Sequence, residues 1–336
     1  MVDFNLAPLW AFIIIFGIMM YVVLDGFDLG IGILYPFVKN KTHKKVMKTT
    51  IMPIWDGNGT WLVFSGAMLF AVFPMAYSVI TSALYIPIVL MLFGLIFRGV
   101  ALELRAKASE AKKHIWDALF MVGSFLAAFF QGVILGAYIN GLPVENGSYT
   151  GSAFDWIAAF PIFCGISVVI AYALLGCTWL IMKTEDSLHE LMYRIVKPLI
   201  IILLFVILVI SLWTPIKYPG VAERWFSLPN FYWLMPVPIL IIVSVIGLLR
   251  SVVNDDHTKP FLLALFIIFL GFVGLGISLW PYIVYPSLTI YNSIAPVQSQ
   301  GILLIGTMFF LPIILGYTGM TYYVFRGKVN HQTRLY

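Results

Sequence analysis

Leu199-Ile200-Ile201-Ile202-Leu203-Leu204-Phe205-Val206-Ile207-Leu208-Val209-Ile210-Ser211-Leu212 carries no charge and a single hydroxyl, and Phe261 to Trp280 repeats the pattern without one charged residue. Runs of this kind are continuous, without the in/out alternation that a membrane β-barrel strand requires. They are the length of chain that crosses a bilayer as helix, for which about 20 apolar residues suffice. The rest of the sequence agrees. Of 336 residues 61% are hydrophobic and 10% charged, against roughly 45–50% and about 25% in soluble domains. A water-soluble fold is excluded, and an all-α polytopic membrane protein is expected.

Breaks at charge clusters and at Pro/Gly/Asn turns give about nine spans, near residues 7–35, 57–76, 79–101, 115–139, 156–182, 197–214, 231–250, 260–284 and 300–325. No segment between them is long enough for a soluble domain, so residues 1–336 read as one integral membrane domain. Two four-helix bundles with one peripheral helix fit this count. Met1-Val2-Asp3-Phe4-Asn5 lacks the positive start of a secretory signal, and the first span is expected to stay uncleaved.

Basic residues test the map, because they concentrate on the cytoplasmic side. Eighteen of the 20 Lys and Arg fall on one side, in the groups around Lys39–Lys48, Arg98–Lys113, Lys183–Lys197, Arg250–Lys259 and Arg326–Arg334. Only Lys217 and Arg224 fall on the other. The amino terminus is therefore expected outside and the carboxyl terminus in the cytoplasm. The pI near 9.0 needs no nucleic acid to explain it.

Cys164 and Cys177 lie thirteen residues apart in one expected helix, roughly 20 Å along its axis, and cannot pair. They read as small buried apolar residues. Gly132 and Gly136, and Gly271, Gly274 and Gly276, are expected to let helices approach closely. Trp213, Trp225, Trp233 and Trp280 stand near outer helix ends, where indole suits the interface.

An ionisable group within a span is a functional hypothesis by default, and few are present. The first span holds Asp25 and Asp28 in Leu24-Asp25-Gly26-Phe27-Asp28-Leu29-Gly30-Ile31-Gly32, at i and i+3 on one helix face. The second opens Trp55-Asp56-Gly57-Asn58-Gly59-Thr60-Trp61, and the third ends in Phe97-Arg98 with Glu103 and Arg105 just beyond. All converge on the cytoplasmic side. Arg98 is expected to offset one first-span carboxylate, leaving the other and Asp56 to hold or pass a proton. Two plainer readings stand beside it: Asp56 capping its helix while Asn58 shapes the turn, and Asp28 with Arg98 as a purely structural pair.

All five histidines, His43, His114, His189, His257 and His331, fall in or beside cytoplasmic loops, so no imidazole at membrane depth is on offer as a haem or copper ligand. The fourteen methionines read as packing. No phosphate-cradling loop, catalytic serine order or cysteine cluster is visible. On residues alone, a proton-coupled secondary transporter stays open as an alternative, although the acids lie off the midplane and no paired interrupted helices appear.

Asp25-Gly26-Phe27-Asp28-Leu29-Gly30-Ile31-Gly32, Trp55-Asp56-Gly57-Asn58 with Trp61-Leu62, and Phe97-Arg98, in that order and spacing, resemble subunit II of cytochrome bd-type quinol oxidases. The short chain and compact loops are similar to the cyanide-insensitive branch. The resemblance implies a bacterial cytoplasmic (inner) membrane heterodimer that oxidises quinol and reduces oxygen to water with cytoplasmic protons. Subunit I would carry two b-type haems, one d-type haem or a b-type substitute, and the quinol site. This chain would bind no cofactor through its own ligands and no metal. Membrane lipids and a small single-helix accessory subunit are further partners of such complexes; no nucleic acid is. Carried over by position, Asp25, Asp28 and Asp56 match acids on a proton route, Arg98 with Glu103 the buried charge partners, and Trp55 and Trp61 the tryptophans near oxygen access or the subunit interface.

Overall fold

The structure, a computed structural model, describes residues 5–330; residues 1–4 lie outside it, as do His331 and Arg334. The described chain is mostly helical: α1 Ala7–Leu34, α2 Lys41–Thr49, α3 Trp55–Val72, α4 Pro74–Ala83, α5 Tyr85–Arg105, α6 Lys113–Asn140, α7 Ala159–Lys183, α8 Asp186–Lys217, α9 Pro219–Phe226, α10 Asn230–Leu234, α11 Pro236–Val253, α12 Lys259–Leu279 and α13 Val297–Val324. Two small antiparallel hairpins interrupt them, β1 Val144–Glu145 with β2 Ser148–Tyr149, and β3 Tyr282–Val284 with β4 Leu288–Thr289.

Among the described residues eight helices are long and apolar enough to cross a membrane, α10 and α11 counting as one. The ninth expected span corresponds to α3, whose first turns, Trp55-Asp56-Gly57-Asn58-Gly59-Thr60, dilute its hydropathy. That span also ends earlier than expected. The helix breaks at Phe73 (φ −125°, ψ 62°), and Pro74 starts the separate α4; proline brings no amide donor and suits a first helical position. The apolar Phe73-Pro74-Met75-Ala76 offers no polar signal for the break. At the other extreme, α8 starts at Asp186 rather than near 197. A charge cluster marks where a helix leaves lipid, not where its hydrogen bonding stops. The eighth span is likewise shorter than read, since α12 ends at Leu279 and β3 takes up the chain.

α1 lies at the centre, in contact with α3, α6, α7 and α12; α5 packs on α6, α11 on α12 and α8, and α12 on α7. Lipid tails are as apolar as leucine, so close packing rather than hydrophobic burial drives such association. The α1/α7 crossing shows how close: a Cβ on Gly30 would lie 1.8 Å from the Tyr172 carbonyl oxygen, and one on Gly176 would lie 2.5 Å from the Gly30 carbonyl carbon. One helical turn away Phe27 stacks on Trp179, ring centroids 4.1 Å apart. Gly132 and Gly136 serve the α6/α7 contact, where added Cβ atoms would meet Cys164 and Pro161 backbone at 2.3 and 2.6 Å. The expectation fails for Gly271 and Gly276, which have nothing within 4 Å, and for Gly274, whose nearest neighbours are 3.8 Å away. Gly274 faces Trp225 of α9 and Val237 of α11 at ordinary contact distance, without a close approach. Cys164 and Cys177 are both buried and unpaired on α7.

The most loosely attached helix is α13. Among its residues only Gln300 and Thr307 are buried, and it leans chiefly on α3. Its tail is nevertheless tied down: Lys183 Nζ donates to the carbonyls of Phe325 (2.5 Å) and Gly327 (3.2 Å), and the Val329 amide donates to the Lys183 carbonyl (2.8 Å).

Candidate functional site

Asp25 and Asp28 on α1 are both wholly inaccessible, and Arg98 on α5 is 3% exposed. Removing three charged groups from water costs several kcal/mol per ion unless they are paired and hydrogen-bonded, so their partners decide what the pocket is. Arg98 Nη1 donates to Asp25 Oδ1 at 2.5 Å. The guanidinium sits 5.9 Å from the Trp55 ring centroid, close enough for a cation–π contact. Trp55 in turn packs against α5, where a Cβ on Gly99 would come within 3.2 Å of its ring.

Asp28 has a different set of partners. Asn58 Nδ2 donates to Asp28 Oδ2 at 2.7 Å and to the Leu24 carbonyl at 3.1 Å, while Asn58 Oδ1 accepts from the Tyr322 hydroxyl at 3.0 Å. Asp28 Oδ1, Asp25 Oδ2 and Arg98 Nε have no hydrogen-bond partner among the described residues, although each is buried. The expected Asp28–Arg98 pair is therefore not what forms: Arg98 takes Asp25, and Asp28 is held by an amide. At i and i+3 the two acids are adjacent on α1, yet the angle between them is enough to aim one at α5 and the other at α3.

A groove of about 700 Å³ opens between α1, α3 and α5, lined by Asp25, Trp55, Leu62, Leu95, Arg98 and Glu103 among others. Glu103 is exposed at its edge. Asp56 is exposed in the first turn of α3, flanked by groove residues Trp55 and Gly59. It is not the helix cap: that position is Ile54, and no side chain caps the helix. Its side chain makes no ion pair or hydrogen bond among the described residues, and a carboxylate there gains only the field of the helix amino end. Trp61 is fully buried between Phe16 and Phe64, with ring centroids 5.9 and 6.0 Å away, and lies outside the groove lining.

Several polar groups of this region were not singled out by sequence. Tyr21 takes a hydrogen bond from Gln131 Nε2 (2.7 Å), and the Tyr172 hydroxyl donates to Gln131 Oε1 (2.8 Å), extending a polar chain from the groove wall to α6 and α7. At the basic end, Asp117 Oδ1 accepts from Tyr35 (2.7 Å), Lys48 (2.6 Å) and Arg105 (2.5 Å). That latch ties the ends of α1, α2, α5 and α6 together. Burial pushes the Lys48 ammonium down to about 8 despite the carboxylate beside it. Asp117, two residues inside an expected span, carried the signal that would have found the latch. Nothing in the last span distinguished Tyr322 from its neighbours.

Among the described residues no group of three His, Cys, Asp or Glu side chains is disposed to hold a metal ion. The described histidines stand near helix ends or in a turn, with His189 against His257 at 4.7 Å between ring centroids.

Comparison with known proteins bears on this arrangement. The chain is 27% identical to a probable cytochrome oxidase subunit 2 of Haemophilus influenzae, over 98% of this chain and 97% of that one. It is 26% identical to the cytochrome bd-I ubiquinol oxidase subunit 2 of Escherichia coli K12, over 99% and 97%. With the cytochrome bd ubiquinol oxidase subunit 2 of Bacillus subtilis it shares 25% over 98% of each chain. Its fold matches a chain in the structure of the bd oxidase from Geobacillus thermodenitrificans with a TM-score of 0.77, covering 95% of this chain and 98% of that one at 16% identity. The family described as cytochrome bd terminal oxidase subunit II matches residues 6–325, and with that match across the helices that build the pocket, the chain belongs to this family.

Proposed function

We propose that this chain is the second subunit of a membrane-bound quinol:oxygen oxidoreductase, working beside a haem-bearing subunit I. The observation that carries the reading is the family match over residues 6–325. The haems, two of b type and one of d type or a b-type substitute, are assigned to the partner, where they would supply the electron transfer and oxygen chemistry. A small accessory subunit remains an optional third component. Membership of this family sets the transporter alternative aside.

Nine crossings in a single domain are the topology we favour, α3 being the ninth, with the amino terminus outside and the carboxyl terminus cytoplasmic. The eighteen-to-two division of Lys and Arg supports it. The layout we favour is two groups of four, α1, α3, α5, α6 and α7, α8, α11, α12, joined through the packing of α7 on α1 and α6, with α13 outside them.

The role proposed for this chain's own residues is to bring protons inward. Asp56 is exposed and has no partner among the described residues, a suitable point of entry from the cytoplasm. Trp55 and Glu103 line the groove that leads to Asp25 and Arg98. Arg98 balances one buried negative charge; a second, uncompensated carboxylate in the same pocket would be strongly destabilising. The neutral pocket therefore holds one proton on its acids, and Asp28, which an amide rather than the guanidinium holds, is where we place it. Trp61, deep between α1 and α3, belongs in this reading to packing against the pocket or to oxygen access.

The experiment is to tag the chain in its native membrane, solubilise gently, and record a reduced-minus-oxidised spectrum with oxygen uptake on added quinol. A co-purifying haem-bearing polypeptide with uptake is the expected result, and a colourless preparation without a partner refutes it. Asp56→Asn then separates roles: turnover lost with haem retained supports proton entry, whereas haem loss indicates a scaffold.

A further inference from the structure

Asn58 stands between Asp28 on α1 and Tyr322 on α13, and its orientation follows from its partners. The Leu24 carbonyl can only accept a hydrogen bond, so the Asn58 atom 3.1 Å from it is the amide nitrogen. The same nitrogen is 2.7 Å from Asp28 Oδ2. Both amide hydrogens are thereby committed, and the remaining Asn58 oxygen is occupied by the Tyr322 hydroxyl at 3.0 Å. The amide has no acceptor free to face Asp28. It can donate to that carboxyl and cannot receive a proton from it.

We propose that Asn58 and Tyr322 are positioning residues for Asp28: by holding Oδ2 as a hydrogen-bond acceptor, they confine the carboxyl proton to Oδ1. Oδ1 is the buried oxygen of this carboxyl with no partner among the described residues, so proton exchange at Asp28 proceeds on that side alone. Tyr322 reaches the site because its ring is seated edge-on against Phe27 and Trp179, centroids 6.5 and 6.3 Å away. That seat is also where the weakly packed α13 meets the protein core at its basic end. The last helix thus completes a site otherwise built from α1 and α3. The inference rests on the reading of Asp28 as the protonated acid of the pocket.

The test is infrared difference spectroscopy of the intact membrane complex in H2O and D2O, the Asp28 carboxyl band being identified by its loss in Asp28→Asn. With the proton on Oδ1, Oδ2 is the carbonyl oxygen and accepts from Asn58. Asn58→Leu removes that bond and is expected to shift the carbonyl band to higher frequency. Tyr322→Phe keeps the ring packing, loosens the amide, and is expected to shift it in the same direction by less. An unmoved band in Asn58→Leu or in Tyr322→Phe overturns the proposal, as does the absence of any band lost in Asp28→Asn. Turnover is measured on the same samples with haem content as the integrity control. Should the bands shift as expected while Asp28→Asn leaves turnover intact, the proton route through Asp28 fails and the positioning by Asn58 and Tyr322 stands.

Discussion

Gly30→Ala places one methyl group into the α1/α7 crossing, and its consequence can be worked from the distances. The new Cβ would lie 1.8 Å from the Tyr172 carbonyl oxygen, 2.7 Å from the Tyr172 carbonyl carbon and 2.9 Å from the Gly176 nitrogen, while ordinary contact begins at 3.4 Å. All three neighbours are backbone of α7, so no side chain can rotate away. The helices must separate locally by roughly 1.6 Å, the gap between 1.8 and 3.4 Å. That movement would open the Phe27–Trp179 stack, now 4.1 Å between centroids, and shift α1 against α5, where Arg98 meets Asp25 at 2.5 Å. Overpacking of a close-packed site costs about 1–3 kcal/mol, and a backbone clash belongs at the upper end, about a hundredfold in the folded population. Thermal inactivation of the purified complex, followed by haem retention and turnover, reads this. Gly271→Ala is the control, because nothing lies within 4 Å of that position in this chain, and surface changes usually stay within about 0.5 kcal/mol. Gly176→Ala enters the same crossing from the other side and should also destabilise. Were Gly30→Ala to match Gly271→Ala in its inactivation midpoint, the argument that α1 and α7 touch through their backbones would be refuted.

Arg98→Met should strip Asp25 of its ion-pair partner and destabilise the complex by about 3–5 kcal/mol, while the double variant Asp25→Leu/Arg98→Met recovers a large part of it; complex yield and inactivation midpoint measure both. Lys48 is held at about 8, below the ordinary 10.5, so the folded chain binds that proton less tightly than the unfolded one. The penalty is present in full below about pH 8 and is relieved as pH rises toward about 10.5. Compared with Lys48→Met, wild type should therefore gain relative stability between about pH 8 and about pH 10.5. Lys183→Met removes the donor shared by the Phe325 and Gly327 carbonyls and should speed limited proteolysis after α13 with little change in turnover.

How much of this was legible in the sequence depends on which signal each feature leaves. Apolar runs report lipid exposure, and they located the long helices to within a few residues at many of their ends. They are silent where a helix breaks inside an apolar stretch, as at Phe73-Pro74, or continues past its charges, as α8 does from Asp186 to Lys197. The buried acids and Arg98 were legible because a charge within a span is costly enough to be rare. Their pairing was not: Arg98 could reach either acid, and which one it takes depends on how α1 is rotated against α3 and α5. Glycines illustrate the same limit. Gly30 and Gly276 sit in equally apolar surroundings, but only Gly30 meets another helix, and that is a property of the partner surface rather than of the residue.

α3 links the fold to the site. By hydropathy it is the least suited of the long helices to lipid, because Asp56, Asn58 and Thr60 crowd its first turns. What holds it is the contact with α1: Asn58 bonds the Leu24 carbonyl and Asp28, and Gly17 leaves room for Ser65, whose oxygen would lie 2.5 Å from a Cβ there. An unsatisfied polar group in hydrocarbon costs several kcal/mol, so the bonds that satisfy Asn58 also help keep α3 in place. Asn58, one of the polar residues that weaken α3 as a membrane helix, is thus the one that positions Asp28. Mutations in this turn should accordingly couple assembly and turnover, whereas Tyr322→Phe on α13 removes a hydroxyl and leaves the packing of Phe27, Trp179 and α3 intact.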